Sequence, residues 1–228
     1  MTPLAALDYA SLRAQLIPLH GLVGALAIIA GVAALSLPKR PAGHPWAGRV
    51  FLLTMGLSIA VAAPVILVGR NLFLMGVGLL VVYHGIVAWR LARLQPPLHA
   101  PTALDRVVHP LFGLVFAVFA LFGLWAYFVK GFGMGIVAIV LASISLGSVR
   151  HFHRFMNLET FEQGEWVTQH IRGVATAFIA SLTAFAAAAG PRLAPQVPGL
   201  ALWLGPTVLF TPLFIWFGRQ VEGKREAQ

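Results

Sequence analysis

Apolar residues in this chain fall in long unbroken runs, not in the alternating or three-four spacing of soluble elements. Seven runs stand out: Leu16–Leu37, Val50–Val68, Leu72–Leu91, Val107–Phe128, Phe132–Val149, Ile171–Ala189 and Pro198–Phe217. A hydrocarbon core of roughly 30 Å needs about 20 apolar residues in one helix, so each run is predicted to cross a bilayer once. Inside lipid every backbone N–H and C=O must be satisfied within the segment, and a helix does this. The predicted fold is all-α: a polytopic membrane helix bundle of seven transmembrane helices, a single transmembrane domain over residues 1–228. Only the fifth connection is long.

The polar positions between the runs predict orientation. Taken segment by segment from the amino terminus, Lys and Arg alternate as 1, 3, 1, 3, 1, 3, 1, 3. Arg13, Arg70, Lys130 and Arg192 are the single ones. The triplets are Lys39, Arg40 and Arg49; Arg90, Arg93 and Arg106; Arg150, Arg154 and Arg172; and Arg219, Lys224 and Arg225. By the positive-inside rule the triplet segments are cytoplasmic, which puts the N-terminus outside and the C-terminus in the cytoplasm. Trp46, Trp89, Trp166 and Trp216 then fall near the inner interface, Trp125 and Trp203 near the outer one, as an aromatic belt requires. Met1 to Gln15 lacks the basic start of a signal peptide, and the first run ends in Pro38-Lys39-Arg40, so it is expected to be a retained span. Thr2-Pro3 is placed to cap a short interfacial helix, Leu4 to Leu12.

Composition agrees and narrows the chemistry. Hydrophobic residues make up 59% and charged ones 10%, against about a quarter charged in soluble domains. In a soluble protein the +9 balance would suggest nucleic acid; here the cations border the spans, so the expected partner is the lipid bilayer and no nucleic acid. With no cysteine, disulfides, thiolate metal sites and cysteine nucleophiles are excluded. No Asp or Glu lies within a run, which argues against a carboxylate relay of the transporter type. The three lysines lie outside the runs, so no Schiff-base lysine of a rhodopsin is available. Phosphate loops, GxSxG elbows and HExxH helices are missing, and no catalytic residue is assigned.

Histidine is what remains. Six of the eight gather at the predicted cytoplasmic side: His44, His84, His109, His151, His153 and His170. Imidazole suits haem iron, copper and zinc, and an ionisable group inside the membrane is a functional candidate by default. His84, about 9 Å inside the inner boundary at 1.5 Å per residue, together with His109 or His170 would supply an inner haem b. On the outer side His20 stands alone, with Met75 and Met134 at similar depth. The candidate cofactor-binding residues are thus His20, His84, His109 and His170. In the fifth loop His151, His153, Glu159 and Glu162 are a candidate divalent-metal set, because Glu159 and Glu162 share a face if Leu158 to Trp166 is helical. The plainer account is that these acids offset Arg150, Arg154 and Arg172. His20-Gly21-Leu22-Val23 and His84-Gly85-Ile86-Val87 echo each other, but the run boundaries put the first near the outer end and the second near the inner end. Repeats should match in depth, so none is expected.

His20-x3-Gly24, Lys39-x4-His44-x3-Gly48-Arg49 with Met55, Tyr83 with Trp89-Arg90, and Trp166-x3-His170 with Thr183-Ala184-Phe185 resemble a family of small bacterial multi-pass integral membrane proteins of unknown function. The resemblance covers about residues 16 to 190 and implies histidine patterns in the first, second and sixth spans, here His20, His44 and His170. Loop 1 departs from it at Pro41 and Pro45, as does the stretch around Gly173. It implies a bacterial cytoplasmic (inner) membrane location and no reaction. Two functions stay open. One is a non-enzymatic accessory subunit or small-ligand-binding component of a larger membrane complex, with other membrane subunits as partners. The other is a histidine-ligated redox protein with haem b, a quinone or a metal near the cytoplasmic face. A channel would have to use Ser143, Ser145, Ser148, Thr176, Ser181 and Thr183, a sparse polar path.

Overall fold

The computed structural model describes residues 8–38, 43–94, 101–158 and 163–226. Among them all regular structure is helical, and seven helices are long and apolar enough to cross a membrane. The protein is a multi-pass membrane protein. The helices are α1 (Tyr9–Ser36), α2 (Gly43–Val68), α3 (Leu72–Leu91), α4 (Ala103–Phe128), α5 (Met134–Met156), α6 (Gln163–Leu193) and α7 (Gly199–Glu226). Residues 1–78 and 79–228 form two compact units.

Most helices outrun their apolar cores. The helix α1 starts at Tyr9 because the Asp8 carboxylate accepts from the N–H groups of Ala10 and Ser11, at 3.2 and 3.3 Å, satisfying donors that open every helix. From there it runs into the span without a break. The interfacial helix expected over Leu4 to Leu12 is therefore not separate where it is described; Thr2, Pro3 and Leu4 lie outside the described residues. The helix α5 carries on through His151 and His153 to Met156, since Arg and His can end a helix in the interface without leaving it. Only α3 keeps the bounds that hydrophobicity predicts.

In the first unit α1 and α2 pack antiparallel, tied at three levels. Tyr9 lies against Gly69, where a methyl group would come within 2.8 Å of the Tyr9 ring. At mid-length the His20 Nδ1–H donates to both the carbonyl and the hydroxyl of Ser58, at 2.9 and 2.8 Å, while that hydroxyl donates back to the His20 carbonyl at 3.1 Å. At the far end His44 Nδ1–H donates to the Ala34 carbonyl at 2.8 Å. Polar groups away from water must be paired, and His20 and Ser58 pair with each other. Ser58→Ala removes the hydroxyl bonds and is expected to destabilise the protein by about 1–2 kcal/mol, seen as a lower melting temperature in detergent.

In the second unit α4 and α5 form a hairpin closed at Gly123 and Gly135, with Gly113 against Val149 and His109 against His153 further along. Gly173 of α6 lies on Leu91 and Ala88 of α3. The indole N–H of Trp166 donates to the Leu91 carbonyl at 2.8 Å. Trp166 is thus a tie between helices, whereas Trp46, Trp89, Trp125 and Trp216 are exposed as an interfacial belt would have them. The helices α6 and α7 meet at Gly190 and Leu202 and at Phe178 and Phe214.

The described helices also revise the expectation of no repeat. His20 is the twelfth residue of α1 and His84 the thirteenth of α3, so counted from the helix starts their positions agree. A second match follows at the same offset plus one: His44-Pro45-x2-Gly48-x-Val50-Phe51 in α2 and His109-Pro110-x2-Gly113-x-Val115-Phe116 in α4. Burial follows the alignment. Val23 and Val87, Ala27 and Leu91, Ala47 and Phe112, and Phe51 and Phe116 are all buried. The first two helices and the next two therefore carry one sequence pattern twice. Ser58, the partner of His20, aligns with Gly123, so the second copy has no hydroxyl there for His84.

Candidate functional site

Chemistry-bearing side chains of the second unit gather in two places. The first is an inward-facing cluster on α3, α4 and α5. Tyr83 is fully buried and stands between two imidazoles: its ring centroid is 5.0 Å from that of His84 and 5.9 Å from that of His109, and its hydroxyl bonds His109 Nδ1 at 3.0 Å. His84 Nδ1–H donates to the Leu80 carbonyl at 2.9 Å. That bond fixes the tautomer and leaves Nε2 bare, and among the described residues this buried nitrogen has no hydrogen-bond partner. Phe112 and Phe116 close the cluster around Tyr83.

Beside it lies an ion pair. The Arg90 Nε donates to Asp105 at 3.0 Å and its terminal nitrogen at 2.9 Å, while the Thr102 N–H and hydroxyl donate to the same carboxylate at 2.8 Å each. Thr102 and Asp105 form a capping box that starts α4 four residues before the predicted span. An acid therefore does lie in a membrane-crossing helix, and Arg90, read from sequence as an orientation anchor and lipid contact, is instead held by a buried carboxylate. The void between this pair, His109 and Met156 measures about 10 Å³, room for one water molecule.

The second place is a cleft of about 580 Å³ walled by α5, α6 and α7. Its polar end carries His151, Arg172 and Arg219, one from each helix. Two turns along, apolar side chains join the wall at Ile144 on α5 and Ile179 on α6, and on α7 Phe214 does so five residues from Arg219. His151 Nε2 lies 2.5 Å from the Gln169 side-chain oxygen and 3.0 Å from an Arg172 nitrogen. One ring nitrogen cannot serve both: protonated, it donates to Gln169; bare, it accepts from Arg172. Thr176 is turned to the Arg172 carbonyl at 2.9 Å.

Set against the sequence candidates, His84 and His109 come together around Tyr83, but His170 stacks on Trp166, centroids 5.9 Å apart. His20 belongs to the first unit and bonds Ser58. His151 and His153 diverge, the first into the cleft and the second toward His109, 5.8 Å away, and Asn157. Glu159 and Glu162 lie outside the described residues. Among the described residues no group of three or more His, Asp or Glu is placed to hold a metal ion. Sequence reading missed Asp105 as a buried partner and the cleft as a whole. Arg172, set only two residues after His170 in an otherwise apolar stretch, was the one signal available for the cleft.

Compared with protein-family models, curated proteins and solved structures, the chain matches none of them.

Proposed function

We propose that the protein is a non-enzymatic small-ligand-binding component of a bacterial cytoplasmic membrane, working beside other membrane subunits, and that its ligand occupies the cleft of α5, α6 and α7. The reading rests on the size and lining of that cleft. At about 580 Å³ it lies in the range of small-molecule sites, roughly 300–1,000 Å³ and mostly apolar with a few convergent polar groups. On the charge alternation, the Arg172 and Arg219 end faces the cytoplasm with the C-terminus.

The chain has no cysteine, so single substitutions report cleanly. Ser148→Cys, on the cleft wall, is expected to react with a small maleimide and to be protected when the protein is loaded with an amphiphile. Leu209→Cys, on an exposed apolar face, should show no such protection. Equal behaviour of the two would remove the cleft as a ligand site.

One observation favours a second reading, a redox protein with haem b or a quinone: the bare, buried Nε2 of His84 with Nδ1 tied to a carbonyl, the arrangement of a metal-ligating histidine. A Soret band in the purified protein, lost in His84→Ala, would establish it in place of the first.

A further inference from the structure

Resting on the cleft reading above, we infer that the cleft takes an anionic lipid from the surrounding leaflet, its phosphate held by Arg172 and Arg219 and its acyl chain laid along α6 and α7. The first argument is charge. Two guanidiniums and an imidazole line the polar end, and among the described residues no Asp or Glu lines the cleft. Among the described side chains neither arginine has a carboxylate within ion-pair distance; the ion pair described there is Arg90 with Asp105. Two cations facing one cavity repel each other, and an anion between them reverses the sign of that interaction. Arginine suits the task because its planar fork meets phosphate oxygens in pairs.

The second argument is the direction of the polarity gradient. From His151 to Ile144 is seven residues, and from Arg172 to Ile179 is also seven, about 10 Å along a helix. Head and tail chemistry are thus separated along one axis on α5 and α6, and on α7 Phe214 lies five residues from Arg219, with Thr211 beyond it. A soluble phosphate compound would need only the polar end. The part of the wall formed by Ile144, Ile179 and Phe214 is accounted for by an acyl chain.

The third is the pre-set state of Arg172. Its partner in the protein is a neutral acceptor, His151 Nε2 at 3.0 Å, which orients the guanidinium without cancelling its charge. When Nε2 instead carries a proton and donates to Gln169, Arg172 is released toward the cavity. An incoming anion favours that second arrangement, because it attracts the freed guanidinium.

The test uses the full chain, purified in a neutral detergent and presented with phosphatidylglycerol, phosphatidylcholine or inorganic phosphate, with native mass spectrometry reading bound lipid and Ser148→Cys labelling reading cleft occupancy. Phosphatidylglycerol is expected to bind about thirtyfold more tightly than phosphatidylcholine, on the scale of two surface arginines, and to protect Ser148→Cys. Arg172→Gln with Arg219→Gln should bring the two lipids to parity, while Arg192→Gln at the opposite end of α6 leaves the preference intact. The wild-type preference carries the inference even if the double variant does not fold. Equal protection by both lipids would overturn the anionic assignment and leave the cleft reading standing. Competition by inorganic phosphate alone would overturn the lipid assignment. Protection by neither lipid would overturn the cleft reading itself.

Discussion

Asp105→Ala is expected to lower stability by about 3–5 kcal/mol, the cost of leaving one member of a buried ion pair uncompensated. The carboxylate is 3% exposed and the Arg90 side chain 15%, so water cannot take over its role. The same oxygens accept from the Thr102 N–H and hydroxyl, so the start of α4 loses its cap as well, worth about 1 kcal/mol. Asp105→Asn keeps an acceptor for Thr102 and loses the charge, and should fall between wild type and alanine. Arg90→Met with Asp105→Ala removes both charges and should be less damaging than Asp105→Ala alone, because replacing a whole buried pair with apolar groups is often near neutral. Melting temperatures in one detergent give the order. If Asp105→Ala melted with the wild type, the ion pair would have no structural weight.

Gly135→Ala carries the second large effect. A β-carbon there would sit 2.6 Å from the Gly123 carbonyl oxygen, 2.7 Å from the Tyr127 nitrogen and 2.9 Å from its Cβ. Two of those are backbone atoms of α4, which cannot swing aside as a side chain can. The hairpin of α4 and α5 must open, and overpacking of this kind costs about 1–3 kcal/mol, more than the roughly 1 kcal/mol that alanine gains over glycine in helix propensity. Gly123→Ala meets the Gly135 carbonyl and the Ile139 nitrogen at 2.9 Å each and should behave alike. Gly56→Ala, with nothing near its added carbon, is expected to be neutral or stabilising. A melting curve for Gly135→Ala at or above that of Gly56→Ala would contradict the packing.

Hydrophobic length made the seven crossings legible, because it is a local property and the bilayer sets its scale. α3 shows this most plainly: its cap, the Asn71 side-chain oxygen that accepts from the Leu74 N–H at 3.0 Å, directly precedes the apolar run, so run and helix coincide at Leu72–Leu91. Elsewhere the ends were set by single polar side chains. Asp8 starts α1 seven residues before its apolar run, and Thr102 with Asp105 starts α4 four residues early. Those shifts turned His20 from an end residue into a mid-helix one and brought Asp105 into the span. Counted from the helix starts, His20 and His84 hold matching places, which the run boundaries had hidden.

The site was legible only in part. Residue type pointed to His84 with His109 or His170 as a candidate pair, and His84 and His109 do meet through Tyr83. Which other residues meet is a matter of tertiary geometry. Trp166 bonds a carbonyl 75 positions away, and Arg90 finds its acid across a connection. His151 and His153, read as one clamp, point to different neighbours because residues two apart on a helix face away from each other. The cleft depends on how α7 leans on α5 and α6, and no local pattern in Thr211, Phe214 or Arg219 states that.

The claim on which the functional account depends is that the space between α5, α6 and α7 is an occupied binding cleft. An electron cryomicroscopy map of the full chain, reconstituted with phosphatidylglycerol and phosphatidylcholine, tests it most directly. The account predicts elongated density in that space, its head between Arg172 and Arg219 and its tail passing Ile179 and Phe214. A map with α7 packed flush on α5 and α6, and no space left between them, would contradict it.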